Sequence, residues 1–432
     1  MLAQPREISR SGGVRRQLTA RAPTPVLAEN ETRPAIAEIA PSPADAAIEF
    51  SFITTRPDFD ALEAEWNALF ERAARSIHVF QSFNWCWHWC NSFLPAAGHS
   101  ADRSPLFILT GRRDGRLVLV WPMVRQRRAG LVQVSFLGDP VSQYGDLIIE
   151  PLADVDAVLD QAFTRVREEA HADVMSFRRV RADANIAPLL ERHGAIVTER
   201  LVAPYLDLAS APDFSTYEQR YSSKARKNRR RLLRRFEERA PAVLQSATTG
   251  TRASELADVA ISLKRAWLKD RGLVSKALTN PATRQFFVTV ARADVRPVGA
   301  VITSLETRGE PAAIEIGFDC KGRRAVHIIV YALKYERASA GQLLIESSIR
   351  NCYERGMTTY DLLAPGDDYK LDWADGSVEV CDRAIGTSAA GRIYAKLYLA
   401  RGRKALKAAV TRTARAVRRL TAKKPKLLAD AE

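Results

Sequence analysis

Long apolar runs are missing from this chain. The most sustained one, His327-Ile-Ile-Val-Tyr-Ala-Leu333, is seven residues long, far short of the ~20 that a helix needs to cross a bilayer. No transmembrane helix is expected. The first residues hold no apolar core of the kind a secretory signal carries, so a leader is not expected either. Cysteine is scarce and odd in number: Cys86, Cys90, Cys320, Cys352 and Cys381. Most sit inside apolar patterns, which fits free thiols in a reducing cytoplasm better than a disulfide framework. Walker A, GxGxxG, HExxH and paired CxxC sequences are absent, so the chemistries those motifs carry are not indicated. The run Cys86-Trp-His88-Trp-Cys90 has the composition of a metal cluster but not its geometry. Positions i, i+2 and i+4 do not share one helical face. It reads as an aromatic core helix, and no metal is expected.

What is present is ordinary in bulk and uneven in charge. Hydrophobic residues make up 46% and charged residues 27%, which excludes a wholly disordered, collagenous or coiled-coil chain. At roughly 150 residues per domain, 432 residues suggest two domains plus tails. The net charge is +15, and it is concentrated. Residues 222–239 hold nine basic and two acidic residues, and 401–432 hold eleven basic and two acidic. The remainder is close to neutral, so basicity belongs to two segments and not to a uniformly nucleic-acid-like surface. In the first segment Tyr217, Tyr221, Ala225, Leu232 and Phe236 fall on one helical face. Such a helix either docks by a narrow stripe or receives a polyanion: CoA phosphates, tRNA or a lipid headgroup surface. In the second, over 391–420, Leu399, Leu406, Val410, Val417 and Leu420 form a stripe compatible with an anionic membrane surface or with packing on the chain's own domain.

Residues 1–46 are rich in Pro, Ala, Ser and Arg without a sustained period and read as a disordered tail. The first unit, 47–210, opens with a strand at 48–54 and a helix near 58–74. The aromatic helix follows, with Ser82 as a candidate N-cap. A hairpin then turns at Arg113-Asp114-Gly115-Arg116. Strands are expected at 132–137, 146–149 and 174–177, with a helix near 155–169 between the last two. The second unit, 211–390, holds the basic helix, a helix at 254–269 and strands at 298–305 and 312–318. An apolar run at 326–335 leads to Ser339-Ala-Gly341-Gln342-Leu343, a helical stripe (Leu344, Ile345, Ile349, Cys352), Gly356 as its C′ residue, and a strand at 358–363. This is a β-α-β unit. The fold class is α/β (α+β), with mixed sheets flanked by helices. Residues 391–432 form a basic C-terminal helix or tail.

Two segments carry candidate chemistry. The turn Ser339-Ala-Gly341-Gln342 opens a helix, whose unpaired N–H groups and positive dipole end suit a pyrophosphate. Gly341 would let backbone and ligand approach closely. After the next strand, Gly366-Asp-Asp-Tyr369-Lys370-Leu-Asp-Trp373 places ionisable and aromatic side chains in a loop at a strand end, where function often sits. Each segment also has a purely structural reading.

Taken in order, these pieces resemble a known family. Phe80-Gln-Ser with its Trp helix, Phe136-Leu-Gly-Asp-Pro-Val-Ser-Gln-Tyr144-Gly-Asp146, Ala203-Pro-Tyr-Leu-Asp-Leu, Lys224-Ala-Arg-Lys-Asn-Arg-Arg, Ser339-Ala-Gly-Gln-Leu-Leu and Tyr360-Asp-Leu-Leu with Gly366 to Trp373 are similar to the CelD-type (cellulose biosynthesis) acetyltransferases. That group lies within the GNAT superfamily and is akin to FemAB-like double-GNAT proteins. The resemblance covers about residues 48–390. It implies two tandem GNAT-like domains and acyl-CoA bound by the second, with Ser339, Gly341, Gln342 and Leu343 at the pyrophosphate. An acceptor amine or hydroxyl would attack the thioester directly while a base removes its proton and an acid protonates the leaving thiolate. Glu315 or Asp361 is the expected base, Tyr335 or Tyr369 the expected acid, and Lys370 would orient acceptor or phosphate. The sequence departs from the family in keeping one glycine in Arg337-Ala-Ser-Ala-Gly341-Gln and in having a short stretch between Pro281 and Pro297, where a strand is expected to be missing or altered.

Three functions compete. The first is a cytoplasmic acetyl-CoA-dependent N- or O-acyltransferase acting on a sugar, a polysaccharide precursor or another small acceptor. The second is a FemAB-like transferase taking aminoacyl-tRNA on its basic helix. The third is a non-catalytic GNAT scaffold held at the inner membrane surface by residues 391–420.

Overall fold

A computed structural model describes residues 47–94, 105–238, 241–293 and 296–413 except 404, 407 and 411. The N-terminal tail expected over 1–46, and Val417 and Leu420 of the C-terminal stripe, lie outside the described residues. Along the chain run β1 (Glu49–Ile53), β2 (Ile108–Arg113), β3 (Arg116–Trp121), β4 (Met123–Arg128), β5 (Leu131–Phe136), β6 (Ile148–Ile149), β7 (Val174–Arg181) and β8 (Ile196–Asp207). Then come β9 (Val243–Ala247), β10 (Gly299–Thr307), β11 (Glu310–Cys320), β12 (Arg323–Tyr331), β13 (Thr359–Asp361) and β14 (Gly376–Gly386). They build a four-stranded sheet, β1-β2-β3-β6, and a ten-stranded mixed sheet, β4-β5-β7-β14-β8-β13-β12-β11-β10-β9. The expected α/β class with mixed sheets holds.

Local chemistry explains how the two sheets separate. β2 and β3 form the expected hairpin, turning through Asp114 (φ 52°) and Gly115 (φ 73°), conformations that Gly and Asp tolerate best. Pro122 then interrupts the chain between β3 and β4. It has no N–H to continue a ladder, and the chain passes from the small sheet into the large one there. β14, late in the sequence, inserts antiparallel between β7 and β8, so the last strand of the chain stitches the first half to the second.

Only two joints of the large sheet are parallel, β5/β7 and β12/β13. Each is bridged by a helix, as parallel neighbours require: Val155–Ala170 for the first and Ala340–Glu354 for the second. Gly356 (φ 67°) follows the second helix as its C′ residue.

The aromatic helix Phe83–Phe93 is core, as its pattern predicts. Trp85, Trp89, Cys86, Cys90 and His88 are all buried. Trp85 packs edge-on against Phe286 and Phe318, at 4.8 and 5.1 Å between ring centroids, so a first-half helix supplies core to the second half. Burial holds the Cys86 thiol well above its usual range and pushes Cys90 up to about 12. Neither is poised to ligate a metal as thiolate, and no group of metal-ligating side chains occurs among the described residues.

Two expectations need correction. The stripe from Tyr217 to Phe236 is not one helix. A short helix Phe214–Tyr217 and a tight turn Glu218–Arg220 end at extended Tyr221, and the basic helix Ser223–Glu237 starts afresh. Ser222 caps it, its hydroxyl accepting from the Ala225 N–H at 3.2 Å, and a cap of this kind contributes about 1 kcal/mol. Ser82 does occupy an N-cap position, but its hydroxyl donates back to Val79 O instead of capping. In the stretch between Pro281 and Pro297, where a strand is expected to be missing or altered, the chain forms the helix Pro281–Arg292, with the Asn280 side chain accepting from Ala282 N–H at its start.

Candidate functional site

The β12/β13 joint opens into a fork. Only Arg323–Ala325 pair with Thr359–Asp361. Beyond that, β12 continues to Tyr331 while the other arm turns away at Leu363, a non-glycine residue with φ 57°. Where a ladder stops, its inward carbonyls need other donors. Lysines supply them. Lys264, on helix Gly250–Asp270, donates to Ile329 O on one arm at 3.2 Å. Lys370 donates to Leu363 O on the other at 3.0 Å. His327 points from β12 toward the first half of the chain, its Nε2 donating to Val141 O at 2.6 Å. Its Nδ1 is buried with no partner among the described residues. Burial lowers His327 to about 4, so this imidazole is neutral at physiological pH. Burial likewise lowers Lys370 to about 8, with Asp367 opposing and Lys264 assisting. An ammonium with that value exchanges its proton near neutral pH.

The helix that closes the β-α-β unit begins where β12 ends. Ser339 adopts a left-handed conformation (φ 57°) and its carbonyl accepts from Gln342 and Leu343 N–H at 2.9 and 3.2 Å. The first two amides, of Ala340 and Gly341, donate to no described residue. Gly341 lies against the Tyr331 ring, and a Cβ there would come within 3.1 Å of it. Glycine is thus required for the helix start to sit this close to β12. Alongside runs the basic helix. Its Phe236 packs in a cluster with Leu343 and Leu344, and Arg229 lies 4.0 Å from Glu346. Lys224, Lys227, Arg234 and Arg235 are exposed and form no ion pair among the described residues.

The sequence-predicted residues fall into three places. Asp361 is buried at the base of the fork. It accepts from Tyr144 OH at 2.9 and 3.0 Å, from Arg323 at 3.2 Å and from Leu363 N–H at 2.9 Å. Glu315 is buried on the opposite face of the sheet, where it accepts from Arg324 at 3.2 Å and from Tyr360 OH. Adjacent residues on a strand point to opposite faces, so the Arg323-Arg324 and Tyr360-Asp361 pairs separate the two carboxylates. Both are enclosed by donors of the chain itself and read as buried ion-pair posts, with no lone pair turned to an acceptor. Tyr335 packs 5.9 Å from Phe236 beside the basic helix and does not join Asp361. Tyr369 and Lys370 adjoin the fork, and Tyr369 is 42% exposed. Of the cofactor candidates, Ser339 and Gly341 shape the helix start, Gln342 is exposed there, and the Leu343 side chain is core.

Sequence reasoning gives no site role to His327, Lys264 or Tyr144. A histidine opening an apolar run was a visible signal. Lys264 gave none, since a lysine on a long helix looks solvated.

Residues 223–371, from the basic helix through the fork, match the model of the acetyltransferase (GNAT) domain family. The match spans the stretch that holds the fork and shows its similarity to GNAT acetyltransferase domains. No curated protein matches the chain. Solved structures of similar fold include a tandem GNAT protein from the clavulanic acid biosynthesis pathway, 15% identical, covering 79% of this chain and 99% of that one with a TM-score of 0.43. FemX is 10% identical, with 77% and 96% covered and a TM-score of 0.49. A conserved protein of unknown function from Bacteroides thetaiotaomicron is 13% identical, with 78% and 100% covered and a TM-score of 0.46.

Proposed function

We propose that the chain is an acyl-CoA-dependent N- or O-acyltransferase built from two tandem GNAT-like units, 47–210 and 211–390, and that its second-half fork receives the acyl-CoA. The observation that carries this reading is the conjunction of a ladder that stops after three pairs with a helix start whose first two amides are free. An extended thioester arm fits between separated strands, and a pyrophosphate fits the free amides of Ala340 and Gly341. Exposed Lys224, Lys227, Arg234 and Arg235 nearby suit the remaining CoA phosphate. The acceptor amine or hydroxyl attacks the thioester carbon. The new C–N or C–O bond forms, the C–S bond breaks, and the acceptor's proton passes to the chain. Lys370, neutral in part near pH 8, takes that proton, and His327 Nδ1 is free to accept a hydrogen bond that orients the acceptor. Tyr369 is the nearby phenol that can protonate the thiolate. A sugar or polysaccharide precursor is the acceptor class the sequence resemblance favours.

Calorimetric titration with acetyl-CoA, with CoA as control, tests the assignment. Micromolar binding is expected, lost in Gly341→Trp, whose side chain would collide with Tyr331. Identical binding in that variant would show that the fork is not the cofactor site.

One observation favours a second reading. The unpaired cations of the basic helix also suit the backbone of an aminoacyl-tRNA, which predicts RNA binding that weakens steeply with salt. Exposed Ile393, Leu397, Leu406 and Val410 (61, 57, 55 and 45%) lie in the C-terminal helical segment, and no described helix is long and apolar enough to cross a membrane. Peripheral attachment through 391–420 predicts pelleting with anionic vesicles that ends on deleting that segment.

A further inference from the structure

The first half of the chain contains a fork of its own. β5 and β7 pair in parallel over Gln133–Ser135 against Val174–Ser176 and then part, as β12 and β13 do. The gap is a cavity of about 300 Å³. Ser135 and Ser176 line it where the ladder stops, and Arg178 and Arg179 line it further along β7. The wide π-type helix Tyr394–Gly402 covers it, presenting Tyr394 and Tyr398, which stack at 4.9 Å. π-Helical turns cost hydrogen-bond geometry and concentrate at functional sites.

The charges of this cavity are not balanced. Arg178 is held by Asp139 and Asp382, and Arg403 by Glu199 and Asp382. Arg128 sits at the exposed rim and donates to Gln126. Arg179 differs from all of these. Its backbone N–H donates to Asp382 at 2.9 Å, and its carbonyl accepts from Gly145 N–H at 3.0 Å. Its guanidinium, however, donates to no described residue, and Nη1 is buried without a partner. The residue is locked at φ 62°, a left-handed conformation that costs a side chain such as arginine about 1 kcal/mol or more. A guanidinium nitrogen buried without an acceptor is costly in itself, and this one belongs to a residue lining a cavity that Ser135 and Ser176 also line.

We infer that this cavity binds a compact metabolite bearing an oxyanion, carboxylate or phosphate, held by the Arg179 guanidinium beneath the Tyr394–Tyr398 pair. Its volume lies at the small end of ligand pockets, which fits a compact ligand and not a whole CoA.

The experiment is calorimetric titration of the full chain at low salt with inorganic phosphate and, separately, with succinate. At least one should saturate in the millimolar range or tighter, and the one that does identifies the oxyanion. Arg179→Met should weaken it about tenfold or more, the loss of a charge-assisted hydrogen bond. Ser176→Phe, which fills the cavity, should abolish it while acetyl-CoA binding is unchanged. Failure of both ligands to saturate overturns the inference, and so does wild-type affinity in Arg179→Met. Should that variant lack the wild-type circular dichroism spectrum, Ser176→Phe decides alone: unaltered anion binding there overturns the site.

Discussion

The two forks start from the same device and end differently. In each, a parallel joint runs for three residue pairs and stops, and in each a buried carboxylate gathers the arginines at its base: Asp382 in the first, Asp361 in the second. The first is covered by the π-type helix and holds a compact cavity. The second has lysines on its open carbonyls and faces a helix start with two free amides. The lesson is that a broken ladder makes the opening, while the segment laid across it sets the size and chemistry of what can enter.

The sharpest test of that comparison is to remove each carboxylate. Asp361→Ala leaves Tyr144 without its acceptor and takes from Arg323 its buried carboxylate, in a site closed to water. Breaking a buried pair on one side costs about 3–5 kcal/mol, and chemical denaturation should register a loss of that size. Asp382→Ala should cost less, about 2 kcal/mol, because Arg178 keeps Asp139 and Arg403 keeps Glu199. Equal losses would mean that the two posts are equivalent.

Next comes the pH dependence of the second fork. Lys370 is lowered by burial from 10.5 to about 8 in the folded chain. The folded state then binds fewer protons than the unfolded state between these values, so stability from this group rises with pH from about 8 to about 10.5. Lys370→Met should flatten that rise, and an alkaline-activated limb near pH 8 in acyl transfer should vanish with it. His327 is lowered from 6.5 to about 4, again by burial. It contributes stability that is lost as pH falls from about 6.5 to about 4, a span worth no more than about 3 kcal/mol. His327→Gln should remove this acid sensitivity. An unaltered acid limb in that variant would assign the sensitivity to other groups.

Much of this architecture was legible. Asp114-Gly115 announced the hairpin, Gly356 the end of the helix, and the strand–helix–strand pattern the parallel joint. β14 was not, because Glu379, Asp382 and Arg383 interrupt its alternation. Asp382 and Arg383 are tolerable there only once Arg178, Arg403 and Glu191 meet them, and such partners are distant in sequence. The start of the basic helix was misread because the apolar stripe outweighed the Ser222 cap. Glu315 and Asp361 stood out as carboxylates on strands, yet Arg323-Arg324 already held the warning. Two consecutive arginines in a strand put one guanidinium on each face, and each then needs a buried acid. The fork's actual polar lining, Lys264 and His327, owes its character to burial created by the fold.

The smallest expected effect lies on the outer surface of the second fork and still bears on the comparison. Replacing Lys224, Lys227, Arg234 and Arg235 by glutamine removes four exposed cations that have no ion-pair partner among the described residues. Stability should change by less than about 0.5 kcal/mol per site, as surface substitutions usually do. Affinity for acetyl-CoA should fall severalfold at low ionic strength and converge with the wild type as salt is added, since exposed charges act over about 10 Å at 0.1 M salt. The anion titration of the first fork should not move, because its arginine is enclosed and the basic helix is not among the residues lining it. A parallel loss at both sites would mean that the net charge of the chain, and not the build of each fork, governs what they bind.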